Sequence, residues 1–202
     1  MKYPTIAVIT LAIMLGIGLG GSSLPRERSK YDDLPCAMVM YTPGNGPPDS
    51  PCGLIMAVWR DGTMLFSAGE CSPGKHMLVG QADIADVDAM VEAMIRAGFF
   101  GKLKDDSGVP DAGFSTMALR VRTSKARRHS GSLIPGFGKN ANPDADYWAY
   151  VKMWRRCEAE LHAISPHKVE RLEDRLEADG TFRGYNPDEP FETPWLHGDA
   201  WR

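Results

Sequence analysis

Two apolar runs, GLIMAVWR at residues 53–60 and TMLFSAG at 63–69, are split by Asp61-Gly62. Asp-Gly tolerates the positive φ of a type I′ turn, so the pattern predicts a β-hairpin. A two-residue turn pairs Arg60 with Thr63. In that register Ile55, Ala57, Trp59, Met64, Phe66 and Ala68 share one face, and Leu54, Met56, Val58, Leu65 and Ser67 the other. Neither face is polar, so the sheet is expected to be covered on both sides, by a helix and by the proline-rich loop at 42–51. CAMVMY at 36–41 reads as a further strand. The turn CSPGK then leads into another strand from His76 to Gly80.

From Asp83 the period lengthens. Ile84, Val87, Met90, Val91, Met94 and Ile95 recur at helical spacing, with Asp83 as N-cap and Gly98 as the C′ residue. A second hairpin follows, in which Met117, Leu119 and Val121 alternate with Arg120 and Arg122. Its turn is expected at 123–126 and its return strand at 128–134. Asn142-Pro143 opens a second helix whose stripe is Tyr147, Tyr150, Val151, Trp154, Cys157, Leu161 and Ile164. Ser165-Pro166 ends it. A third, highly charged helix is expected next, with only Val169, Leu172 and Leu176 as its stripe. From Gly180 the chain has no period but carries Phe182, Tyr185, Phe191, Trp195 and Trp201, which either wrap the domain or form a recognition segment.

The fold class is therefore α+β. It comprises an antiparallel sheet of two β-hairpins plus one or two strands, two main helices packed on one face, a third charged helix and an irregular C-terminal tail. The expected boundaries are an α+β domain at 35–164, the charged helix at 165–179 and the aromatic, acidic tail at 180–202.

Composition adds a destination. The 202 residues are 43% hydrophobic and 24% charged, a globular balance. Residues 5–19 (TIAVITLAIMLGIGL) are uncharged and apolar, follow Lys2, and precede the small residues Gly18, Gly20, Gly21, Ser22 and Ser23. Residues 1–21 therefore read as a signal peptide or an N-terminal membrane anchor, and 22–34 as a polar linker. The protein is expected to be extracytoplasmic, either secreted or periplasmic. Cys36, Cys52, Cys71 and Cys157 then become disulfide candidates. The two-residue hairpin register faces Cys52 with Cys71, with a bulge needed near Gly53 or Gly69. Cys36 with Cys157 follows by elimination, the alternative being that Cys157 is a buried apolar side chain.

The order of elements resembles a family of uncharacterised bacterial exported domains, a domain of unknown function. The marks are Cys52, Asp61-Gly62-Thr63, Gly74-Lys75-His76, Val87, Ala97-Gly98-Phe99-Phe100, Leu103-Lys104-Asp105-Asp106, Asp111 and Thr116, spanning residues 52–133. The resemblance implies an exported α+β domain and carries no catalytic residue.

Chemistry is sparse. No G-x-S-x-G nucleophile turn occurs, and Ser72 and Ser107 carry no signature. His76 and His129, with the loop carboxylates Asp105, Asp106 and Asp111, are the only candidates for a small extracytoplasmic hydrolase. Those aspartates lack the order of a calcium loop, so no metal or other cofactor is expected. Charge is distributed unevenly. No acid lies between Asp111 and Asp144, whereas residues 170–199 hold nine acids against three cations. Arg120, Arg122, Arg127 and Arg128 form a candidate basic patch. A turn centred on Ser124-Lys125 places Arg120, Arg122, Arg127 and His129 on one face. Such a patch is solvated, or neutralised by the acidic tail, or meets a partner. That partner would be an anionic envelope surface or another envelope protein; nucleic acid is excluded by export and by the lack of interleaved aromatics. The leading expectation is a non-enzymatic exported domain for binding or envelope structure.

Overall fold

The computed structural model describes residues 33–42, 53–69, 73–103, 114–121, 125–133 and 145–201. Its strands are β1 (Ala37–Thr42), β2 (Gly53–Val58), β3 (Thr63–Ser67), β4 (Met77–Gln81), β5 (Phe114–Val121), β6 (Lys125–Gly131) and β7 (His167–Arg171). They form one seven-stranded sheet in the order β6-β5-β1-β2-β3-β4-β7, with every neighbouring pair antiparallel. Helices α1 (Ile84–Arg96) and α2 (Ala145–His162) complete an α+β architecture. Residues 1–32, the proline-rich loop, the aspartate loop and Asn142-Pro143 lie outside the described residues.

Side chains alternate across a strand, so a sheet buried on both faces needs apolar residues at every position. β1 and β2 meet that condition. Val39 and Val58 face the helices, packing with Met64, Met117 and Leu119 against Val87, Met90, Val91 and Met94 of α1 and Trp154, Cys157 and Leu161 of α2. Met38, Met40, Ala57, Trp59 and Leu65 face the other way, into Leu172, Phe182, Tyr185, Trp195, Leu196 and Trp201. The second cover is thus the C-terminal tail, which wraps the sheet. Its 3-10 turns, Pro190–Glu192, Pro194–Leu196 and Gly198–Trp201, deliver the aromatic side chains.

The β2–β3 register differs from expectation by one residue. The Trp59 N–H donates to the Thr63 carbonyl at 2.8 Å, and the Gly62 N–H to the Trp59 carbonyl at 3.0 Å. Three residues therefore make the turn, with Gly62 at φ +87°, the geometry of a type I turn closed by a left-handed residue. Val58 then pairs with Met64 and Ala57 with Leu65. A one-residue slip exchanges the faces of one strand relative to the other, which is why Met64 joins Val58 and Leu65 joins Ala57. The two-residue register was the ground for facing Cys52 with Cys71. That ground is withdrawn, and both cysteines lie outside the described residues.

Cys36 and Cys157 are free thiols, both buried in the helix-side core. The pairing reached by elimination is not formed. Burial pushes each thiol up to about 12, so both stay protonated and unreactive near neutral pH.

Residues 165–179 do not form the expected charged helix. β7 occupies His167–Arg171 and a 3-10 turn occupies Leu172–Arg175. The stripe of three apolar residues offered little burial, and Val169 is left 46% exposed. Pairing β7 with β4 instead satisfies the backbone at that sheet edge. Gly80 permits the approach: a Cβ there would lie 2.7 Å from Pro166 Cβ.

Candidate functional site

The expected basic patch is divided by the sheet. β6 begins at Lys125, inside the expected turn, so Arg127 pairs with Leu119, Arg128 with Ala118 and His129 with Met117. Arg127 and His129 therefore share the helix side with Leu119 and Met117, while Arg120 and Arg128 share the tail side with Ala118. Arg122 lies outside the described residues. Arg120 is buried, donates to the Ala200 carbonyl, and has its guanidinium 5.2 Å from the Trp201 ring centroid. The tail meets this cation through a backbone carbonyl and an indole ring.

Arg127 and His129 complete the end of α1. The Phe99 and Gly98 N–H groups donate to the Met94 and Ile95 carbonyls at 3.2 and 3.0 Å, closing a Schellman motif. Arg127 donates to the Phe100 and Gly101 carbonyls at 2.7 and 2.8 Å. His129 Nε2 sits 2.9 Å from the Phe99 carbonyl and its ring packs edge-on to Phe99. These groups satisfy backbone, which commits them to structure.

The two histidines of the hydrolase constellation are not brought together. His76 is exposed at the entrance to β4, and His129 is buried in β6. Five strand spacings separate those strands in the sheet, about 24 Å at ~4.8 Å per spacing. Asp105, Asp106 and Asp111 lie outside the described residues. Among the described residues, no group of three or more His, Cys, Asp or Glu could hold a metal ion.

A site that the sequence reading missed lies between the helices. The C-terminal end of α1 and the outer face of α2 enclose a groove of about 760 Å³. Ala93, Ala97, Leu103, Ala149, Met153 and Ala159 supply an apolar floor, and Arg96, Lys102, Lys152, Arg155 and Arg156 supply five cations. Among the described residues, no acidic side chain lines it. Glu92 and Glu160 pair with Arg96 and Arg156 from one turn away along their own helices. Lys102, Lys152 and Arg155 make no ion pair among the described residues. The polar face of α2 was a signal: Lys152, Arg155 and Arg156 stand at i, i+3 and i+4, opposite the buried stripe. That the end of α1 lies beside them is a tertiary fact that no period along the chain encodes.

A second depression, of about 410 Å³, shares Arg155 and Ala159 with this groove and is lined by Tyr41, Glu158 and His162. It carries both signs of charge. Burial and then Glu158 raise the Tyr41 phenol.

Fold and site together define an α+β domain with an apolar groove rimmed by cations. No protein-family model matches the chain, and no curated protein and no solved structure matches it.

Proposed function

We propose that this chain is a non-enzymatic extracytoplasmic domain that binds an anionic membrane surface of the cell envelope through the groove between α1 and α2. The carrying observation is the groove's lining: five cations around an apolar floor and, among the described residues, no acid. The apolar run at residues 5–19, and the resemblance to exported domains over 52–133, support the extracytoplasmic placement. Among the described residues no helix is long and apolar enough to cross a membrane.

A cation beside an anionic leaflet contributes about 1 kcal/mol, weakening with salt. The test is co-sedimentation of the full chain with vesicles of phosphatidylcholine alone or with phosphatidylglycerol. Binding should exceed the zwitterionic background only on anionic vesicles. Lys152→Glu, Arg155→Glu and Arg156→Glu together should weaken that excess by at least about a hundredfold. All three side chains are exposed, so the fold should persist. Equal sedimentation on both vesicle types, or an unaffected triple variant, overturns the reading.

A further inference from the structure

We propose that the groove takes up one alkyl chain of an anionic lipid, with the chain along the alanine floor and the headgroup among Lys152, Arg155 and Arg156. The inference rests on the membrane-surface reading and deepens it from a charge contact to a binding site.

Charge alone does not require a trough. A surface that only attracts headgroups can be flat and polar, whereas this one has cations around Ala93, Ala97, Ala149, Met153 and Ala159. Alanines spaced four apart on α1 keep that face of the helix low, and Ala149 does the same on α2. From Ala149 to Ala159 the helix rises about 15 Å, the length of an extended alkyl chain of roughly a dozen carbons at standard bond lengths. A volume of about 760 Å³ falls within the range of ~300–1,000 Å³ typical of small-ligand pockets.

Trp148 argues for a lipid over an acidic peptide. It is 54% exposed and stands one helical turn from Lys152, on the same face of α2. An exposed indole beside cations is the pairing found at the bilayer interface, where the ring sits at headgroup depth.

The experiment titrates the full chain with alkyl phosphates of increasing length, each below its micelle concentration, by isothermal titration calorimetry. Each methylene buried in the groove should tighten binding about fourfold, giving about two hundredfold from octyl to dodecyl phosphate. Ala97→Phe with Ala149→Phe fills the floor without removing a cation. Both alanines are exposed, so folding should survive, and a thermal melt checks it. This variant should lose the chain-length dependence and keep salt-sensitive binding to phosphatidylglycerol vesicles. If the double variant does not fold, Lys152→Glu with Arg155→Glu serves instead and should weaken every homologue equally. A flat series with vesicle binding intact overturns this inference and leaves the membrane reading standing. A flat series with no vesicle binding overturns both. Saturable binding of an acidic peptide with a flat alkyl series assigns the groove to a peptide and also overturns it.

Discussion

At Gly62 the backbone enters the left-handed region, and a Cβ there would lie 2.2 Å from the Ala82 carbonyl oxygen. That oxygen belongs to the chain leaving β4, and the Ala82 N–H donates to the Gly62 carbonyl at 2.8 Å. Gly62→Ala meets both the φ penalty and a backbone clash that no rotamer relieves, so it should cost at least about 2 kcal/mol in a urea titration. The neighbouring Asp61 is tuned by contacts. Burial works to raise its carboxyl, but hydrogen bonds from Arg183 and Thr63 outweigh it and hold the group below its ordinary 3.8. A depressed folded value means that the unfolded chain binds the proton first. The contribution is therefore full above 3.8 and fades as pH falls through the folded value. Asp61 is half exposed, so the pair contributes under about 1 kcal/mol. Asp61→Asn should lower the urea midpoint slightly near neutral pH and converge with the parent chain in acid, once the carboxyl is protonated in both states. Asp-Gly announced this turn from the sequence, but not that it holds three residues. The Trp59–Thr63 closure and the contact with Ala82 set that length, and both depend on β4 lying alongside.

At the scale of elements, α1 and α2 were legible and β7 was not. The helices carry wide stripes that match their buried faces: Val87, Met90, Val91 and Met94 on α1, and Tyr147 through Leu161 on α2. Ile84, assigned to the first stripe, is 56% exposed because it precedes the turn that touches the sheet. β7 has no stripe of its own, and its strand state comes from the vacant edge of β4. Propensity is a weak prior that tertiary context overrides. The tail was legible as aromatic but not as a layer. Trp195 anchors it, stacking 6.0 Å from Tyr185 and meeting Trp59 edge-on at 5.6 Å, with its indole N–H donating to the Arg183 carbonyl at 2.9 Å. Tyr185 is the poor fit in this layer. Its hydroxyl is buried without a hydrogen-bond partner among the described residues, and burial pushes it up to about 12. Deleting an unsatisfied polar atom while keeping the ring removes a desolvation cost. Tyr185→Phe should therefore be neutral or raise stability by up to about 1 kcal/mol, read as a thermal midpoint at or above that of the parent.

Across the whole molecule, cations are assigned by layer. The sequence displays its densest basic run on the second hairpin, yet Arg120 and Arg127 there hold the tail and the end of α1. The groove's five cations lie on α1, on α2 and just after α1, distributed through residues 96–156. No local window collects all five. The functional surface proposed above was invisible for that reason: it exists only once two helices lie side by side. Both sheet edges carry charge, β6 as KARRHSG and β7 as HKVER, which discourages strand addition from a second molecule.

The tail layer also sets an order of events. Its residues follow every strand of the sheet in the chain. Until they arrive, Met38, Met40, Trp59 and Leu65 have no cover, because their partners lie at Leu172 and beyond. β1 must by then find both β2 and β5, the latter on the far side of α1 in the chain. Such distant pairings close slowly. Before its tail docks, this molecule is an open sheet with a greasy back, the kind of exposed apolar surface that draws partly folded chains together.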